Sequence, residues 1–199
     1  MTHVAVLISG EGSNLQAMLD AVESGGLPGV KICLVVSNRA QAGGIGRAIR
    51  HGVPVAYFPL APYRLREGGR DDYDADLARL VRAFDAEWVV LAGWMHVLGD
   101  GFLRAFRHRV INLHPALPGT FPGVGAIERA YVAFRQGLID HTGVMVHLVP
   151  DAGIDSGPVL LSEIVPITTS DTLQDLQARM HACEHRLLVQ AIRESIVDA

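Results

Sequence analysis

Short apolar runs alternate with amphipathic stretches from the start of the chain to about residue 112, and this alternation constrains the fold more than any other feature. His3–Ser9, Val30–Val36, Val53–Tyr57, Trp88–Ala92 and Arg109–Asn112 read as strands. Leu15–Val22, Ile45–His51 and Tyr73–Phe84 read as helices, the first with Leu15, Met18, Leu19 and Val22 on one face. Phe102–Phe106 reads as a short helix and Pro59–Gly69 as a loop. Strands that alternate with helices in this way pack as a parallel sheet with helices on both faces. Near-continuous Val, Ile and Leu within the strands fits burial on both sides.

The texture changes after Asn112, where Pro115, Pro118 and Pro122 follow in quick succession. A helix is expected over Ala126–Gln136, then strands over Gly143–Val149 and Val159–Val165 joined by the turn Pro150–Gly157. A long helix from Asp171 carries Leu173, Leu176, Met180, Cys183, Leu187 and Ile192 at apolar positions. Asp171 with Gln174 resembles a capping box at its start. The fold class is therefore α/β: an open, mostly parallel twisted sheet with helices on both faces, Rossmann-like, with an antiparallel addition near the C-terminus. Residues 1–199 are expected to form one domain, its halves of about 1–110 and 111–199 sharing the sheet. A chain of 199 residues buries roughly 70% of its unfolded surface, enough to fold without a disulfide or metal.

The formal net charge is −4 and the basic residues are scattered, which argues against a nucleic-acid surface. Trp88–Met95 is the longest strongly apolar run, far short of the roughly 20 residues a membrane span needs. Val4–Ile8 is cut off by glycines and has no basic segment before it, so it does not read as a signal peptide. Cys33 and Cys183 form no CxxC pair. These features place the protein in the cytoplasm, with small molecules rather than nucleic acid or membrane as partners.

Ser9-Gly10-Glu11-Gly12-Ser13-Asn14 joins the first strand to the first helix. Glycines permit the tight turn, and the helix start presents unpaired N–H groups at its positive end, a combination that binds phosphate. A plain strand-to-helix turn capped by Ser or Asn explains the motif equally well from its sequence alone. Leu15 stands where a dinucleotide fingerprint has its third glycine, and Ser37-Asn38 offers no acidic residue for a ribose. The only lysine, Lys31, lies within a strand, so the loop is not that of a P-loop nucleotidase. One phosphate on a small substrate is the better reading.

Asn112-Leu113-His114-Pro115 falls at the carboxyl end of the fifth strand, the edge at which open parallel sheets carry their active sites. Alternation puts Asn112 and His114 on one side. An Asn amide donates to an oxyanion, and a His moves a proton near neutral pH. Asp155, in the glycine-flanked turn 153–157, is placed to reach the imidazole, where its charge is expected to raise the His114 pKa. The plainer alternative is a loop cap, a surface histidine and a turn aspartate. No GxSxG elbow is present and neither cysteine sits in a nucleophile motif, so the chemistry calls for direct attack of one substrate on another.

His181-Ala182-Cys183-Glu184-His185 matches the H-x-x-E-H zinc pattern. A catalytic zinc needs a third ligand and an open position, and only fourteen residues follow His185, so no metal site is expected here.

Taken together, these stretches resemble the glycinamide ribonucleotide formyltransferases, within the wider folate-dependent formyltransferase superfamily. The resemblance covers nearly the whole chain. It rests on Val6–Leu15 with its Ser-Gly-x-Gly-Ser-Asn-Leu loop, Val35–Asn38, Val89–Met95, Ile111–Pro115 followed by Phe121-Pro122-Gly123, Val146–Val149 and Ile154–Val159. It implies formyl transfer from 10-formyltetrahydrofolate, as co-substrate, to the amine of 5-phosphoribosylglycinamide in purine synthesis, in a monomer or homodimer and without a metal. It implies that Asn112, His114 and Asp155 are catalytic. By the same resemblance Gly12, Ser13 and Asn14 hold the phosphate, and Glu184 contacts the ribose or glycinamide end. Met95, His96, Val97 and Leu98, with Asn112, would line the folate pocket, and Arg70 would lie near the folate tail, with Arg64 and Arg66 as alternatives. The chain departs from the family pattern at His96, where Arg or Lys is usual, at Gly125, where His is common, and at His181, where Gln is common. The alternative activity is that of a formyltetrahydrofolate hydrolase or another formyltransferase of the superfamily. Family hydrolases carry an added N-terminal domain, whereas this chain opens on its first strand.

Overall fold

The computed structural model describes residues 1–198. Its centre is a seven-stranded sheet made of β1 (Thr2–Ile8), β2 (Val30–Ser37), β3 (Val55–Tyr57), β4 (Trp88–Leu91), β5 (Val110–His114), β6 (His141–Leu148) and β7 (Val159–Pro166). Their spatial order is β3-β2-β1-β4-β5-β6-β7. Every pair from β3 to β5 is parallel, and β6 and β7 add antiparallel beside β5. The expected architecture is thus the observed one. The helices are α1 (Ser13–Glu23), α2 (Gly43–Arg50), α3 (Gly69–Arg82), α4 (Asp100–Leu103), α5 (Ala126–Arg135) and α6 (Leu173–Ile192). Among the described residues no helix is long and apolar enough to cross a membrane.

The strands are apolar on both sides because both sides are covered. Val4, Val6 and Ile8 of β1 pack into one core with Leu15 and Met18 of α1 and Leu176 and Met180 of α6. The intervening Ala5 and Leu7 pack into the opposite core with Tyr73 and Leu77 of α3 and Phe102 of α4. Truncating any of the large residues to Ala removes about 2–5 kcal/mol of packing.

Several boundaries differ from the sequence reading for local reasons. β3 begins at Val55 rather than Val53, since Val53 N–H is taken by the Ala48 carbonyl and Pro54 has no N–H to offer a ladder. The expected loop 59–69 contains a short 3₁₀ turn over Ala61–Tyr63. α3 starts at Gly69, with Asp71 and Asp72 at its positive end. α4 covers Asp100–Leu103 instead of Phe102–Phe106, because the chain enters it through Gly99, whose carbonyl accepts from Phe102 and Leu103 N–H. The capping box of α6 is formed one residue later than expected. Asp175 N–H donates to Thr172 Oγ1 at 3.2 Å and Thr172 N–H to Asp175 Oδ2 at 2.9 Å. Asp171 is occupied elsewhere, accepting from Thr168 N–H at 2.7 Å and Arg179 at 2.6 Å.

Candidate active site

The carboxyl ends of β4 and β5 open onto one cleft of about 590 Å³, which Asn14 at the start of α1 also borders. Asn14 and Glu184 stand at one side of it, Met95–Leu98 form another wall, and Asn112, His114 and Asp155 lie between them.

β5 extends to His114, so Asn112 and His114 are successive same-side residues of its last turn of pleat. Both meet Asp155 across the turn that precedes β7. Asn112 Nδ2 donates to Asp155 Oδ1 at 3.1 Å, and His114 Nδ1 lies 3.2 Å from Asp155 Oδ2. Asp155 Oδ2 also accepts the Gly123 N–H at 2.8 Å. Asp155 and Phe121 both hold positive φ, 50° and 44°, an uncommon conformation for residues with a side chain. The two strained residues thus flank the same imidazole.

His114 is buried, and its Nε2 faces the Phe121 carbonyl at 3.1 Å. A carbonyl only accepts, so Nε2 must carry a hydrogen whether the ring is neutral or charged. Nδ1, facing Asp155, is then the nitrogen that gains and loses a proton. Burial lowers the His114 pKa below the ordinary histidine value, outweighing the attraction of Asp155 and the Phe121 bond. His147 and Arg129 act in the same downward direction. Asp155 pulls the pKa upward as expected, but desolvation of the ring is larger, so the net shift is downward. Burial also opposes the Asp155 carboxylate. His147, the Gly123 N–H and His114 together outweigh it and hold the Asp155 pKa below the usual value.

His147 enters this cluster without having been singled out from sequence. It is opposite Asn112 in the β5–β6 ladder and 2% exposed. Its Nδ1 lies 2.8 Å from the Leu148 carbonyl and must donate, leaving the Nε2 lone pair of the neutral ring to accept from Asn112 Nδ2 at 3.1 Å. Both amide hydrogens of Asn112 are thereby engaged, one by Asp155 and one by His147.

The glycine loop is built by close packing. Gly12, at φ 73°, is the N-cap of α1. A Cβ there would meet Gly44 Cα of α2 at 2.6 Å, so the loop needs glycine for its turn and for the contact between the two helix starts. Ser13 is the first residue of α1, and neither Gly12 nor Ser13 borders the cleft itself. Asn14 does, and its Nδ2 donates to Glu184 Oε2 of α6 at 2.9 Å. Burial raises the Glu184 pKa against the Asn14 bond and the nearby His181. The Asn14 carbonyl oxygen is buried without a partner.

On the other wall, Met95 N–H donates to Ser9 Oγ at 2.9 Å, which ties this segment to the end of β1. His96 sits edge-on to Trp94 and Tyr73 at ring distances of 5.4 and 6.0 Å, its Nδ1 buried without a partner. Burial lowers its pKa, and Arg70, Arg64 and Arg39 lower it further. Arg70 itself does not border the cleft. Its Nε is paired with the buried Asp74 at 2.9 Å, one turn on along α3. Among the described residues no group of three His, Cys, Asp or Glu side chains is placed to hold a metal, and Glu184 of the H-x-x-E-H stretch is turned to Asn14.

Known proteins resemble this chain over nearly all of its length. A family model described as formyl transferase matches residues 2–192. The phosphoribosylglycinamide formyltransferase of Schizosaccharomyces pombe is 46% identical over 205 residues, covering 100% of this chain and 99% of that protein. That of Dictyostelium discoideum is 41% identical and covers 96% of both. Among solved structures, glycinamide ribonucleotide transformylase 1 from Symbiobacterium toebii superposes with a TM-score of 0.87 at 39% identity, over 97% of this chain and 86% of that one. The phosphoribosylglycinamide formyltransferase from Bacillus halodurans does so with a TM-score of 0.88 at 31% identity, over 98% and 97%. With a family model matched over residues 2–192 and relatives at 46% and 41% identity over nearly their full lengths, the chain belongs to the formyl transferase family.

Proposed function

We propose that this chain is an enzyme that moves a formyl group from 10-formyltetrahydrofolate to the amine of 5-phosphoribosylglycinamide in purine biosynthesis. The meeting of Asn112, His114 and Asp155 in the cleft is the observation that carries this reading. The end-to-end likeness to proteins named for the same reaction supports it.

The amine attacks the formyl carbon and the carbonyl electron pair moves onto oxygen. Asn112 Nδ2 and the protonated Nδ1 of His114 donate to that oxyanion, Asn112 by exchanging one of its present acceptors for it and His114 by sharing its Nδ1–H between the oxyanion and Asp155. The bond from the formyl carbon to the folate nitrogen then breaks. As the oxyanion re-forms the carbonyl, His114 Nδ1 gives its proton to that nitrogen and takes in its place the proton lost by the amine, directly or through a water held by Asp155. Bringing two bound substrates together supplies much of the acceleration.

Gly12, Ser13 and Asn14 hold the phosphate at the start of α1, and Glu184 contacts the ribose or glycinamide. Met95, His96, Val97 and Leu98, with Asn112, face the folate, and Arg70 lies toward its tail. Release of tetrahydrofolate, followed with and without 5-phosphoribosylglycinamide, tests the reading. Release that requires the ribonucleotide supports it. Equal release in its absence identifies a hydrolase, and no release in either case rejects formyl transfer.

A further inference from the structure

Phe121 is held at φ 44°, and its carbonyl accepts two hydrogen bonds. One comes from His114 Nε2 at 3.1 Å, the other from Arg129 Nη2 at 2.8 Å. The same Arg129 nitrogen donates to the Pro122 carbonyl at 2.6 Å, and Arg129 Nε reaches the Gly125 carbonyl at 3.4 Å. The guanidinium also lies 5.9 Å over the Phe121 ring. Arg129 comes from α5. Left-handed backbone at a residue with a side chain costs about 1–3 kcal/mol and persists only where the surroundings over-determine it. Here the surroundings are Arg129 on carbonyls 121 and 122 and Asp155 on the Gly123 N–H.

We propose that Arg129 is a positioning residue for His114: by fixing the Phe121 carbonyl it forces the imidazole hydrogen onto Nε2 and keeps Nδ1 as the nitrogen that exchanges protons. The inference rests on the reading of His114 as the proton-handling group of formyl transfer. Without Arg129, Phe121 relaxes toward negative φ and its carbonyl swings away. Nε2 loses its acceptor, and the neutral ring shifts toward the tautomer with its hydrogen on Nδ1, where Asp155 accepts it. That tautomer leaves the ring in the wrong state to take a proton at Nδ1. The charged and titratable groups facing the ring are Asp155, His147 and Arg129 itself.

The sequence offers no hint of this role. Arg129 is one exposed arginine on an amphipathic helix, and its partners are backbone oxygens 4, 7 and 8 residues away.

The test compares Arg129→Met and Arg129→Lys with the parent chain. Imidazole nitrogen NMR on ¹⁵N-histidine-labelled protein reads the His114 tautomer directly and needs no turnover. Steady-state kinetics provide the second readout. Arg129→Met is expected to move His114 from the Nε2–H form to a mixture and to lower kcat by about tenfold to a hundredfold. The KM for the ribonucleotide should stay within about twofold, because Asn14 and Glu184 are untouched. Arg129→Lys keeps a donor and should restore part of both signals. A folded Arg129→Met chain with an unchanged tautomer overturns the inference, whatever its rate. A parent chain that shows the Nε2–H form but no formyl transfer rejects the functional reading and leaves the Arg129 result to be judged on the spectra.

Discussion

Asp155 Oδ2 accepts the Gly123 N–H at 2.8 Å while lying 3.2 Å from His114 Nδ1, so one carboxylate oxygen fixes the backbone of the 121–125 loop and faces the imidazole that the loop orients. Its other oxygen holds Asn112. An amide cannot do all three. Asp155→Asn keeps the size, but whichever way the amide lies it turns an NH₂ toward Asn112 or toward Gly123 and His114.

Asp155→Asn should therefore lower kcat by about a hundredfold or more, with little change in ribonucleotide KM. The sign of the pH effect is fixed by the site. Asp155 pulls the His114 pKa upward against burial, so its loss drops that pKa further. The limb of the kcat profile governed by protonated His114 moves to lower pH. An NMR titration of His114 alongside kcat against pH checks this. An unmoved titration with full activity would reduce Asp155 to a turn residue.

Gly12→Ala should disturb both the glycine loop and the contact between α1 and α2. The added methyl faces Gly44 Cα at 2.6 Å and the backbone is at φ 73°. The neighbouring Gly10 has open space where its Cβ would be and lacks a positive φ, which makes Gly10→Ala a matched control. Gly12→Ala is expected to cost about 1–3 kcal/mol of stability and to raise ribonucleotide KM well above any effect on folate. Equal thermal midpoints and equal KM values for the two variants would contradict this.

Arg70→Met tests the pair on α3. Asp74 is 1% exposed and accepts from Arg70 Nε at 2.9 Å and from Gly99 N–H at 3.0 Å. Burial raises the Asp74 pKa despite both bonds. Removing the cation leaves a buried carboxylate, at a cost of about 2 kcal/mol near neutral pH, the lower end for a partner as open to solvent as Arg70. The sign follows from the raised pKa: the penalty belongs to the ionised form, so it shrinks as pH falls and Asp74 protonates. Denaturation of parent and variant at neutral and acidic pH should show the gap closing. A gap that widens toward acid would assign the cost to something other than Asp74.

The fold is legible in the sequence because β1 to β5 announce themselves by composition and by Gly, Asn and Pro at their ends. Strand alternation marks Asn112 and His114, and the glycine-flanked turn marks Asp155. His147 stayed hidden because nothing in the sequence reports that it stands opposite Asn112 across an antiparallel ladder. Arg129 stayed hidden because its partners are carbonyls, which every residue has. The upward pull of Asp155 on His114 is legible but the net downward shift is not, for a related reason: charge pairs are visible as residue types, whereas desolvation depends on packing. α6 was misplaced by one residue at its cap because Asp171 and Thr172 are both good caps, and Arg179, a contact on the next turns of the helix, claims the first.

Prolonged chelation should leave activity intact, and elemental analysis should find no stoichiometric zinc. Glu184 is held by Asn14 Nδ2, and no third ligand joins His181 and His185 among the described residues. Activity lost to chelator and restored by zinc would require α6 to present a different face.

His147→Leu carries the last expectation. The neutral ring accepts one hydrogen of the Asn112 amide at 3.1 Å, and Asp155 Oδ1 accepts the other at the same distance. These two acceptors set the plane of the amide. Leucine fills much of the buried space but accepts nothing, so one N–H of Asn112 is left unpaired, at a cost of about 1–3 kcal/mol. The amide is then free to turn its oxygen toward the cleft, where it repels rather than stabilises a developing oxyanion. Since about 1.4 kcal/mol is tenfold in rate, kcat should fall by roughly tenfold to a hundredfold. Ribonucleotide KM should hold, because Glu184 and Asn14 lie across the cleft on other elements. His147→Gln, which presents an amide oxygen to Asn112, should recover part of the rate. Comparing kcat and KM for the two variants decides the matter: equal loss in both, or none in either, would mean that His147 does not orient Asn112.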